Sequence, residues 1–158
     1  MIAQLLFAFG LISVTVIIHA LGTLEAIAHL IRVRRRTTAN DRLWVAEIQI
    51  VRVVAVLMLL HLLEAGVWAG FYFFSGLLPE LETAIYFSVT SYTTVGYGDV
   101  VLPPHWRLVG PIEAAAGILM FGWSTAIIVA AVTRIHLERL RTELDAQPKP
   151  ENLVSEER

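Results

Sequence analysis

The chain contains no cysteine. This excludes a disulfide framework and any thiolate metal site, and it leaves the redox compartment unread. Charge is scarce as well. Only 16% of the 158 residues are charged, against 56% hydrophobic, too apolar for a soluble domain, where about a quarter are charged. The motifs of hydrolytic chemistry are missing: no G-x-S-x-G elbow, no H-E-x-x-H zinc helix and no phosphate-cradling glycine loop. Calcium and nucleotide motifs are also missing. The amino end lacks a basic start and a small-residue cleavage site, so a cleaved signal peptide is not expected. These absences point away from an enzyme and from a nucleic-acid partner, and toward a protein of the lipid bilayer.

What is present is three apolar segments long enough to cross a membrane: Met1 to Ile31, Leu43 to Phe74, and Trp106 to about Ile135. Between the second and third, a helix expected from Pro79 to Tyr92 is too short to cross and reads as re-entrant. Pro79 suits its first turn, and Glu80 and Glu82 suit the positive end of its dipole. Its carboxyl end, near Ser91 to Thr93, would point into the membrane and favour a cation. Arg32, Arg34, Arg35, Arg36 and Arg42 crowd the first loop, and Arg134, Arg139 and Arg141 follow the last span. Basic short loops stay cytoplasmic, which predicts an external amino terminus and a cytoplasmic carboxyl terminus. Because the first arginines are expected in a loop, a voltage-sensing helix is rejected. The apolar pattern fades past Leu140, and Asp145 to Arg158 is expected to be disordered. No ligand-binding domain is expected after the last span.

One run fits neither helix nor strand periodicity: Thr93-Thr94-Val95-Gly96-Tyr97-Gly98-Asp99. Glycines alternating with side-chain-bearing residues let alternate positions take backbone conformations open mainly to glycine. Successive carbonyl oxygens can then point the same way. Non-helical backbone at membrane depth survives only where protein buries it or where it lines a watery cavity, and pore-lining carbonyls can replace the hydration shell of a potassium ion.

The run Thr94 to Asp99 resembles the selectivity-filter signature of tetrameric potassium channels. The resemblance continues through a pore helix (Glu82 to Thr93) and an inner helix (Trp106 to Ala126, with Gly117 and Gly122), about a third of the chain. It implies an all-α membrane protein in which three transmembrane helices, a re-entrant pore helix and an extended filter assemble as a homotetramer. By the same resemblance the carbonyls of Thr94, Val95, Gly96 and Tyr97, with Gly98 completing the strand, form successive potassium sites. Asp99 ties down the outer end, with Thr90 and Tyr86 standing where the family keeps residues that hold it. Those two positions depart from the common pattern. Gly117 matches the inner-helix hinge, although close packing is the simpler role for a helix glycine. Ile118, Phe121 and Thr125 fall on the cavity wall, and Thr125, Val129 and Thr133 on an inner constriction. The chain then divides into a first helix and basic loop (1–42), a pore domain (43–137) and a short cytoplasmic tail (138–158). The expected activity is passive potassium conduction across the cell membrane, with potassium ions and no organic cofactor. The alternative is a weakly selective cation channel of the same fold.

Several polar residues lie inside the spans. His19 is deep in the first and is expected to pack against another helix. Glu25 and His29 share a face near its far end, where a solvated pair is expected. His61, Glu64 and Trp68 share a face of the second span, and Phe71 to Phe74 read as an aromatic belt. Counted from the outer ends, Glu113 falls at a depth similar to Glu64. A polar, proton-sensitive cluster of His61, Glu64 and Glu113 behind the filter is therefore one expectation; a fixed hydrogen bond from Glu113 to a pore-helix hydroxyl such as Ser88 is the other. A metal- or haem-binding protein using His19, His29 and His61 leaves the glycine run unexplained.

Overall fold

Runs of Leu, Ile, Val and Ala build long helices here, and Ser75-Gly76 and Pro103-Pro104 mark the breaks on either side of the short helix and the run that follows it. The computed structural model describes residues 2–36 and 42–146. It contains α1 (Ile2–Arg36), α2 (Arg42–Phe74), α3 (Leu81–Tyr92), a 3-10 turn (Pro104–Trp106) and α4 (Val109–Ala146). No strand occurs among the described residues. Three stretches, Ile2–Arg32, Glu47–Phe74 and Pro104–Leu137, are long and apolar enough to cross a membrane. The protein is a multi-pass, all-α membrane protein.

The short helix α3 packs against α2 and α4, and α1 lies against α2 and α4 from outside. The core forms where these elements meet: Trp68, Tyr72, Ala84, Tyr92, Val109 and Ala116 are all buried. Large apolar side chains such as Leu6, Ile17, Leu59 and Leu62 face outward, as lipid-facing or subunit-facing residues must. After α2, the amides of Leu77 and Leu78 both donate to the Tyr72 carbonyl, at 3.1 Å each. This seats Leu78 in the core and turns the chain back toward α3.

The structure corrects several sequence expectations. The backbone of Arg32 to Arg36 is helical, and Arg42 opens α2, so the arginines are not mainly in a loop. Arginine is a good helix former and its charge suits a helix carboxyl end. The side chains of residues 33–36 and 42–46 and the chain at 37–41 lie outside the described residues. The last helix runs past Ile135 to Ala146, through Asp145; residues 147–158 lie outside the described residues. The short helix starts at Leu81, not Pro79, with Glu80 as its extended cap residue and the Ala84 amide donating to the Glu80 carbonyl at 2.9 Å. Glu25 pairs with Arg32 at 3.9 Å across two exposed side chains, rather than with His29. Tyr72 does not belong to an interfacial belt. It is fully buried, because its hydroxyl finds an acceptor inside.

Candidate functional site

The glycine-bearing run follows directly from the carboxyl end of α3. Thr93 caps that helix, its amide donating to the Val89 carbonyl at 3.1 Å and its hydroxyl to the same oxygen at 2.6 Å. The chain then alternates. Thr94, Gly96 and Gly98 have φ of +63°, +52° and +79°, all in the left-handed region. Glycine tolerates this; a β-branched threonine does so only at a cost of about 1–3 kcal/mol, held by its surroundings. Two hydrogen bonds supply that hold: the Thr94 amide to the Ser91 carbonyl (2.9 Å) and the Gly96 amide to the Thr90 carbonyl (3.0 Å). Thr90 thus supports the run through its backbone. Its hydroxyl donates to the Phe87 carbonyl at 3.0 Å within its own helix.

The outer end of the run is fixed by Tyr86, whose hydroxyl donates to Asp99 Oδ2 at 2.7 Å. That bond holds the Asp99 carboxyl below the usual carboxylate range. Thr94, Gly96 and Gly98 face a groove of about 370 Å3, with Phe87, Ser91 and Gly110 among the residues across from them. Val95 and Tyr97 are not covered by α3: they are 51% and 73% exposed.

On the inner helix, Gly117 lies against the end of α3. A Cβ built there would sit 2.0 Å from the Tyr92 carbonyl oxygen, so only glycine allows this approach. Ile118, Thr125, Val129 and Thr133 are exposed along one side of α4. Phe121 instead turns into the bundle, its ring 4.2 Å from His61 and 5.7 Å from Tyr92 between centroids.

The buried polar residues form two groups, not one. Glu113 accepts from Ser88 Oγ at 2.5 Å and from the Tyr72 hydroxyl at 2.7 Å. Glu64 lies in a separate group: His19 Nδ1 lies 2.8 Å from its Oε1, the Tyr92 hydroxyl donates to its Oε2, and His61 Nδ1 lies 3.5 Å from Oε2. The expected union of His61, Glu64 and Glu113 is therefore absent, because Glu113 is turned about the α4 axis toward Tyr72. Sequence reasoning missed Tyr92, Ser124 and Tyr72 as members of these groups. A hydroxyl-bearing residue inside an apolar run is the signal they offer, and it does not name a partner. Outside the groups, α1 is tied to α2 by Trp68 Nε1, which donates to Thr15 Oγ1 at 3.1 Å. His29 is exposed and apart from both groups.

Among known protein families, the one described as "Ion channel" matches residues 53–134, about half of the chain and all of the run, its helix and most of α4. The chain is also 38% identical over 73 residues to a calcium-gated potassium channel, TvoK, of Thermoplasma volcanium. That alignment covers 46% of this chain and 21% of the relative, so the chain spans about a fifth of that protein's length. No solved structure matches the chain.

Proposed function

The chain belongs to the ion channel family, and we propose that it conducts potassium passively through a filter built by four copies from Thr94, Val95, Gly96, Tyr97 and Gly98. The observation that carries this reading is the backbone of the run, left-handed at three alternate positions at the end of a short, packed helix. An alternating backbone of this kind aims consecutive carbonyls at one axis, where they replace water around a dehydrated cation. The Thr90 carbonyl and the Tyr86 hydroxyl brace the strand in its middle and at its outer end. The negative end of the α3 dipole lies beneath it and favours a cation on the axis.

One strand cannot enclose an ion. The homotetramer supplies the other three and gives the exposed Val95 and Tyr97 neighbours to pack against. Ile118, Thr125 and Val129, on the exposed side of α4, then line the inner cavity. Ions pass by binding and knock-on, without covalent chemistry, and no organic cofactor is needed. The arginines at the ends of α1 and α4 orient the protein with its amino terminus outside and its carboxyl terminus in the cytoplasm.

Gly96→Ala tests the reading. The new methyl group meets no atom within 4 Å in the chain. The substitution therefore acts through φ, where a left-handed alanine costs about 1–2 kcal/mol. Tetramers should still form while potassium flux or potassium-over-sodium preference is lost. Unchanged permeability in assembled Gly96→Ala protein would reject the filter assignment. Equal potassium and sodium permeability in the wild type would instead favour the weakly selective channel.

A further inference from the structure

The proposed conduction path does not pass through the group around Glu64, yet every helix of the fold contributes to it. His19 comes from α1, His61 and Glu64 from α2, Tyr92 from α3 and Ser124 from α4. The side chains of His19 and Glu64 are fully buried and that of His61 nearly so. One ligand atom from each of the three lies within 4.8 Å of the others. The two imidazole rings lie side by side, 5.4 Å apart between centroids, and both turn Nδ1 toward the Glu64 carboxylate, at 2.8 and 3.5 Å.

Their opposite nitrogens share one partner. Ser124 Oγ is 3.3 Å from His19 Nε2 and 3.0 Å from His61 Nε2. A serine hydroxyl has one hydrogen and two lone pairs. It can donate to only one of these nitrogens, but it can accept from both. When both Nε2 atoms carry the hydrogen, Ser124 satisfies both rings, and each Nδ1 presents a lone pair toward a carboxylate. The lone pairs of the two Nδ1 atoms and of Glu64 Oε1 then converge, while the Tyr92 hydroxyl, 3.4 Å from His61 Nδ1, commits its hydrogen to Oε2; a cation fits between the three. The Tyr92 hydroxyl donates to Glu64 Oε2, which orients the carboxylate and leaves Oε1 beside His19.

We propose that His19, His61 and Glu64 form a binding site for a divalent metal ion of the zinc class, with Ser124 and Tyr92 as the hydrogen-bonding partners that orient its ligands. Two imidazole nitrogens and one carboxylate oxygen are a donor set for zinc and its neighbours. Calcium and magnesium want oxygen throughout. An outer partner on the second nitrogen of each ligating histidine is what such sites regularly have. Because ligands come from α1 and α2 and outer partners from α3 and α4, an ion here ties the first helix to the pore domain.

The test uses the full chain, assembled in detergent micelles and stripped with a chelator. Cobalt(II) is titrated in and its visible ligand-field absorption is followed, then zinc is added in competition. The proposal expects bands of a low-coordinate cobalt site saturating at one ion per chain, displaced by zinc, and a melting temperature raised by zinc. The His19→Ala/His61→Ala double variant should lose the bands, and Ser124→Ala should weaken affinity about 10–100-fold. A variant with the exposed His29, His105 and His136 all changed to alanine should behave as wild type. Bands that persist in the double variant would overturn the proposal. If the double variant fails to assemble, the wild-type titration decides alone: no low-coordinate bands at one equivalent means that the group is closed by protons and holds no metal.

Discussion

Gly117→Ala puts a methyl group 2.0 Å from the Tyr92 carbonyl oxygen and 3.0 Å from its carbon. Real contacts of this kind are essentially never under 3.0 Å, so α4 and the end of α3 must part by about 1 Å. The atom in the way is backbone, and no rotamer change relieves it. Overpacking of this sort costs about 1–3 kcal/mol, or a fall of roughly 2–12 °C in melting temperature for a chain of this size. The displaced carbonyl immediately precedes Thr93, so the same movement reaches the strained Thr94 and the proposed filter. Two glycines serve as controls. At Gly22 the obstacle is the end of the Leu60 side chain, which can rotate away, and at Gly122 a Cβ meets nothing within 4 Å of the chain. Melting of the detergent-solubilised protein and potassium flux in proteoliposomes should rank Gly122→Ala near wild type, Gly22→Ala between, and Gly117→Ala lowest. A purely hinge-like Gly117 predicts a different result: unchanged melting with altered opening. Wild-type melting and flux in Gly117→Ala would refute the close-contact argument altogether.

Other substitutions probe the braces. Tyr86→Phe removes the bond that lowers the Asp99 carboxyl. In the wild type that stabilisation is present above the unfolded carboxylate pKa and is lost as pH falls through the lowered folded value. Flux should therefore fail at a higher pH in the variant than in the wild type; an acid limb at the same or a lower pH in a pH–flux titration would contradict this. At Glu113, the single Ser88 hydroxyl hydrogen faces two acceptors, the Ala65 carbonyl at 2.7 Å and Glu113 at 2.5 Å. The amide of Glu113→Gln can donate to Ser88 and still accept from Tyr72, so its melting should match wild type, whereas Glu113→Ala strands the Tyr72 hydroxyl at about 1–3 kcal/mol. Equal melting of the two variants would show that the Tyr72 bond contributes nothing.

Much of this was legible in the residues. Apolar run length located the three spans, Pro79 and the acidic residues beside it located the short helix to within two residues of its start at Leu81, and two glycines two residues apart located the irregular run. Thr94 shows the limit: no local preference places a β-branched residue at φ +63°, and only the α3 carbonyls that bind it explain the conformation. Counting residues along a helix gave the depth of Glu64 and Glu113 but not their direction around the helix axes. That direction separates them, one toward His19 and the other toward Tyr72 and Ser88. Charge ends the apolar run at Ile31 and so suggests a loop, yet arginine continues a helix well, and α1 extends to Arg36. Phe121, placed on the cavity wall by resemblance, is held inward by ring contacts that no single-helix pattern encodes.

The same separation of depth from direction explains the first helix. Within α2, Glu64 and Trp68 occupy one face, and both are fully buried. Part of what satisfies them lies outside the pore domain: His19 meets Glu64 at 2.8 Å, and Thr15 receives the Trp68 indole at 3.1 Å. His19 and Thr15 are four residues apart, so one face of α1 serves one face of α2. Helix α1 is therefore a packing partner of α2 and not an appendage. A chain lacking residues 1–36 should lose assembly or melt below the full protein, since each buried polar group left without its partner costs about 1–3 kcal/mol. Supplying α1 as a separate peptide in the same micelles should recover part of the loss, and a His19→Leu, Thr15→Val peptide should recover less. A truncated chain that assembles and melts like the full protein would show that the pore domain satisfies Glu64 and Trp68 without help.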